Sequence, residues 1–119
     1  MKAEIKALHS PDLDDLAKGR PGDPENFGIL VQAFLGPEGE DGEESFDFMV
    51  CTPAWLSDEL AAQGHIWGRH HLIVPGYDYE AIKASIQELC DSTEAKTWPE
   101  VAALLARFGQ WEFEDYQSD

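Results

Sequence analysis

Cys51 stands directly before Thr52-Pro53, a pair that starts helices, and a thiol at a helix N-terminus can be acidified by the helix dipole and become a nucleophile. Such a thiol needs a base, which would have to be His65 or His70, and no spacing in the chain brings either one to it. His65, His70 and His71 suggest a metal, yet adjacent residues of a strand point to opposite faces, so His70 and His71 cannot easily share an ion. Neither Cys51 nor Cys90 belongs to a C-x-x-C pair, and no metal or other cofactor is expected. The glycine-bearing acidic run from Glu38 to Glu44 has the composition of a calcium loop but not the order of acids and glycine that an EF-hand requires. Carboxylates alternate with aromatics in Trp111-Glu112-Phe113-Glu114-Asp115-Tyr116, which could pair an acid with a base but reads first as a solvated face with Trp111 and Phe113 in the core, and second as aromatic anchors with a charged rim. Nucleophile-elbow, phosphate-loop and dinucleotide-binding signatures are all missing from the sequence.

The elements that must position these residues follow from periodicity and caps. Residues 2–9 alternate, with Ala3, Ile5 and Ala7 on one side, as a half-buried strand does. Ser10 to Asn26 is rich in proline, glycine and aspartate and reads as a long surface loop anchored by Leu13 and Leu16. Phe27 to Gly36 is apolar on both parities and suits a central strand, and Glu44 to Cys51 alternates again. The stretch from Gly36 to Gly42 between them is the loop of a long hairpin whose glycines leave its acids flexible. Thr52 caps a helix ending at Gly64, Arg69 to Val74 forms a strand, and Asp78 caps a helix carrying Tyr79, Ile82, Ile86 and Leu89. Thr97 to Glu100 is a capping box before a stripe of Trp98, Val101, Leu105 and Phe108; Gly109 closes that helix, and Gln110 to Tyr116 is a last strand. The order predicts an α+β domain spanning residues 1–119, with a mainly antiparallel sheet of about five strands and two to three helices on one face.

Charge narrows the function classes further. The formal net charge is −16, and the segments from Glu38 to Asp47 and from Glu112 to Asp119 contribute −10 of it without a single Lys or Arg. That excess repels nucleic acid and anionic membranes, and it attracts and steers a basic protein surface. Hydrophobic residues at 43% and aromatics at 11% are enough for a folded core. No apolar run is long enough to span a bilayer, and the alternating start at Met1 to Ala7 does not read as a signal peptide, so a cytoplasmic location is expected. Cys51 and Cys90 are expected as free buried thiols.

Four stretches occur in order across nearly the whole chain: Pro24-Glu25-Asn26-Phe27-Gly28; Glu44-Ser45-Phe46-Asp47 leading to Cys51-Thr52-Pro53-Ala54-Trp55-Leu56; Gly68-Arg69-His70-His71-Leu72-Ile73-Val74; and the closing Trp111 to Tyr116. Together they resemble the immunity protein 8 family of bacterial polymorphic toxin systems. The resemblance implies a small cytoplasmic protein, encoded beside a toxin, that binds the toxin and blocks it without catalysis. It transfers no catalytic residues and maps no toxin contacts.

The candidate toxin-binding residues therefore rest on charge and aromatics: Glu38, Glu40, Asp41, Glu43, Glu44 and Asp47 on the hairpin, and Trp111, Glu112, Glu114, Asp115 and Tyr116 on the closing strand. The expected partner is a cognate toxin, in one version a basic nuclease whose phosphate sites the carboxylates would mimic. Direct nucleic-acid or membrane binding is not expected, and homodimerisation is left open. Two alternatives stand beside it: an acidic mimic of nucleic acid that regulates a host DNA-binding protein, and a small Cys51-dependent enzyme.

Overall fold

A computed structural model describes residues 1–114 of the chain. The strands are β1 (Ala3–His9), β2 (Gly28–Pro37), β3 (Glu44–Cys51), β4 (His71–Ile73) and β5 (Gln110–Trp111); the helices are α1 (Pro53–Gln63), α2 (Tyr79–Asp91) and α3 (Trp98–Leu105). β1, β2 and β3 form an antiparallel meander, and both short strands add to the free edge of β3. β4 runs parallel to Met49–Cys51 after the α1 crossover, while β5 runs antiparallel to Phe46–Asp47. The sheet is thus mixed, and the fold is α+β.

Side-chain alternation sorts the sheet into two unlike faces. Ile29, Val31, Ala33 and Leu35 of β2 and Phe46, Phe48 and Val50 of β3 point into the core. Ile82, Ile86 and Cys90 of α2 and Val101, Ala102 and Leu105 of α3 close over them. Leu16 is buried in this core and Leu13 packs against it, so the long loop is anchored where the leucines predict.

The caps are where local chemistry puts them. The Thr52 hydroxyl accepts from the Trp55 amide with Pro53 in the first turn, and Gly64 ends α1 in the left-handed conformation. Asp78 caps α2 by accepting from Ala81 N, and Thr97 caps α3 by accepting from Glu100 N.

Several expectations are corrected. The β1–β2 register shifts between Ile5 and Ala7, a bulge that sends Ala7 to the outer side opposite Phe34 and brings Leu8 onto the core. α2 and α3 are the two helices expected on one face, while α1 lies apart: it buries no residue, and its Trp55 ring sits over Gly28, on the side opposite the core. α3 stops at Leu105, so Phe108 falls in the following turn and is exposed. The fourth strand begins at His71; His70 precedes it with φ 65°, so the premise of alternating histidines along one strand fails.

Gly36 is the tightest contact in the hairpin, because a Cβ there would lie 1.9 Å from the Gly42 carbonyl oxygen and 3.0 Å from Lys6 Cε. Gly36→Ala is expected to lower unfolding stability by about 1–3 kcal/mol through this overpacking, read as a reduced denaturant midpoint at unchanged slope.

Candidate functional site

The two acidic segments, 67 residues apart in the chain, meet at one place. Phe46 pairs with Trp111 and Asp47 with Gln110, which lays the closing strand along the base of the acidic hairpin. The Trp111 ring stacks on Phe46 at 6.3 Å, and its Nε1 donates to Glu44 Oε2 at 2.6 Å. The Ser45 amide donates to Glu112 Oε1 at 2.8 Å, and the Glu112 amide donates to Ser45 O at 3.0 Å. Glu44 thereby lies with Trp111 on the core side of the β3 edge, Asp47 lies on the outer side, and Glu112 closes the edge between them at Ser45.

The hairpin loop is tied down, contrary to the flexible tip its glycines suggest. The Gly39 amide donates to Glu4 Oε1 at 3.1 Å, Lys6 Nζ donates to Glu40 O at 2.6 Å, and the Glu38 amide donates to Lys2 O at 2.9 Å. Lys6 also pairs with Glu4 at 2.7 Å, and this ammonium together with the Gly39 amide holds the Glu4 carboxyl below the usual carboxylate range. Glu38, Glu40, Asp41 and Glu43 project into solvent. The base-free character of the sequence windows is thus locally relieved by Lys6, brought in from β1.

At the other end, Arg69 forms an ion pair with Glu114, and His70 Nε2 lies 3.7 Å from the same carboxylate and 3.2 Å from Ala106 O. Glu114 is therefore engaged, and Trp111 is a half-buried strut and not an exposed anchor. Asp115 and Tyr116 lie outside the described residues. Trp67, in the Gly64–Arg69 stretch beside Arg69, is 84% exposed and makes an edge contact with the His65 ring. Sequence reasoning missed it because it sits outside any periodic segment; a tryptophan close to the glycines Gly64 and Gly68 was the available signal.

The outer face of the sheet is arranged in rows by the strand register. Gln110, Asp47, Gln32 and His9 form one row across the sheet. Ser45, Phe34 and Ala7 form the row on one side of it, and His71, Met49 and Leu30 the row on the other. Asp47 Oδ1 is buried and finds no hydrogen-bond partner within the described residues. Burial, and secondarily the nearby Glu112 carboxylate, push the Asp47 pKa above the ordinary aspartate value.

The candidate chemistry elsewhere does not assemble. Cys51 is fully buried and burial raises its thiol pKa, the reverse of what nucleophilic catalysis needs. Cys90 is pushed up to about 12, by burial and then by Asp91. Both thiols are free. Among the described residues no group of three or more His, Cys, Asp or Glu could hold a metal ion. A cavity of about 290 Å³ opens between β4 and α2 over Phe48, Leu72, Ile86 and Leu89, and offers apolar surface without converging charge. No helix among the described residues is long and apolar enough to cross a membrane.

A family model described as Immunity protein 8 matches residues 3–116, nearly the whole chain. The chain belongs to the immunity protein 8 family. Immunity proteins act in toxin systems, and membership of the family implies a cognate toxin as partner. No curated protein and no solved structure matches this immunity protein significantly.

Two expectations follow for this immunity protein. The buried, weakly acidic thiols should react with a thiol-specific disulfide reagent at pH 8 only after denaturation, both becoming titratable in guanidinium. Because the folded-state pKa of Asp47 is raised, its ionisation opposes folding at neutral pH, and this penalty fades as pH falls through the raised value toward the ordinary one. Asp47→Asn should therefore raise the melting temperature at pH 7, with the advantage over wild type shrinking toward pH 4; a lower melting temperature at pH 7 would contradict the assignment.

Proposed function

We propose that this immunity protein neutralises its toxin by non-catalytic occlusion, docking the surface formed by the hairpin, β3 and β5 against a basic region of the toxin. The observation that supports this reading most directly is the β3–β5 register, which joins two separate acidic segments into one surface. The hairpin backbone that carries these acids is already tied to β1, so the loop needs little reorganisation on binding. Glu38, Glu40, Asp41 and Glu43 steer the encounter, and Asp47 and Glu112 form the contact zone nearer the sheet. Glu44 and Glu114 hold the surface together, through Trp111 and Arg69 respectively, more than they reach the partner.

A toxin with a cationic active site, such as a nuclease, fits this charge best, since carboxylates can occupy positions where phosphates would lie. The same surface gives the alternative of a nucleic-acid mimic no advantage of its own, because family membership already supplies a partner.

Replacing Glu38, Glu40, Asp41 and Glu43 together by their amides leaves every assigned structural bond in place. It should slow association with the toxin encoded beside this protein by about 10-fold or more at low ionic strength, with the difference largely erased near 0.5 M salt by screening, roughly as the Debye length falls toward a few ångströms. Stopped-flow association rates across a salt series check this; equal rates at every salt concentration would count against steering by the hairpin.

A further inference from the structure

We infer that the outer face of the sheet, the side away from α2 and α3, is the seat for an arginine-bearing segment of the toxin, with the Asp47 carboxylate as the acceptor at its centre. This rests on the toxin-binding reading above and goes further by naming the face, the acceptor and the side chain it takes.

The face has the make-up of a protein contact. α2 and α3 cover the core side, and on the outer side the Trp55 ring of α1 sits over Gly28. Beyond Trp55, Leu30, Phe34 and Met49 stand half-exposed around Asp47 and Gln32, and none of the three belongs to the core cluster. Apolar side chains surrounding one polar group, with a charged rim outside, are the arrangement found at interface hot spots.

The acceptor is already desolvated. Asp47 Oδ1 is closed to water and has no donor among the described residues, although Gln32 and Gln110 stand directly opposite it on the two neighbouring strands. Native structures leave few buried polar atoms unpaired, since each is desolvated without compensation. Asp47 as a whole stays partly exposed, so a donor arriving from outside meets a carboxylate whose charge is only partly solvated. Glu112, whose carboxylate accepts from the Ser45 amide at the β3 edge, adds a second negative charge near Asp47.

Charge complementarity selects the occupant. With a formal net charge of −16 and carboxylates at the centre and rim of the face, a cationic side chain is favoured. A guanidinium suits it better than an ammonium, because it is planar, more weakly hydrated, and can bond a carboxylate through two N–H groups while its stem and plane rest on Leu30, Phe34 and Met49.

The test uses the full immunity protein and the inactivated toxin domain encoded beside it, with equilibrium binding and thermal melting measured for two variants. Asp47→Asn removes the charge. Gln32→Lys places an ammonium opposite Asp47, filling the orphan oxygen from within and repelling an incoming guanidinium. Both variants are expected to melt no lower than wild type yet bind the toxin domain about 30-fold more weakly or worse, an opposition of stability and affinity that a merely structural residue would not produce. Binding within about twofold of wild type by either folded variant overturns the inference, as does a fall in affinity accompanied by a fall in melting temperature. The amide-substituted hairpin variant is measured alongside: weakened association there with Asp47→Asn unchanged leaves the proposed function standing and removes only this seat, whereas no binding by wild type removes both.

Discussion

The acidic surface depends on one indole. Trp111 is inserted beside β3 with its ring stacked on Phe46 and its N–H on Glu44, and these contacts set the register of a strand only two residues long. A strand that short contributes little pairing of its own, so burial of the indole is what holds the closing segment in place. From that register follow the reciprocal bonds between Ser45 and Glu112 and the approach of Glu114 to Arg69. Arg69 in turn leads into the stretch that presents Trp67, so an aromatic ring and the carboxylates share one tether.

Concentrating acids this way works against folding, and the structure offsets only part of the cost. Lys6 bridges Glu4 and the hairpin carbonyl of Glu40, and Arg69 takes Glu114, while the outward carboxylates of the hairpin keep full access to water. Asp47 is the exception, desolvated and left without a donor. A protein selected for stability alone would place an uncharged residue there. A carboxylate kept there carries a cost in stability that nothing among the described residues offsets.

Much of the fold was legible in the sequence because it is locally encoded. Thr52-Pro53, Gly64, Asp78 and Thr97 mark helix ends through bonds within a few residues of themselves, and alternation in β2 and β3 announces their faces directly. What escaped was encoded at a distance or by insertion. The bulge after Ile5 adds a residue that period-2 reading cannot see, so Ala7 and Leu8 exchange sides. β4 and β5 are short strands whose places depend on which stretch of the β3 edge each one finds, and His70 takes a left-handed backbone that its residue type does not advertise. For the candidate site, the acidic composition picked out the two segments without saying that hairpin and closing segment touch. It also could not separate Glu44 and Glu114, engaged with Trp111 and Arg69, from the acids that remain outward.

Hydrogen–deuterium exchange of the immunity protein, free and saturated with its toxin, tests the central claim most directly, because it reads the docking surface without any substitution. Slowed exchange is expected across residues 38–49 and 110–114, with α2 and α3 unchanged. Protection confined to α2 and the β4 groove, with the hairpin and closing strand exchanging as in the free protein, would contradict the assignment of the acidic surface as the toxin-binding site.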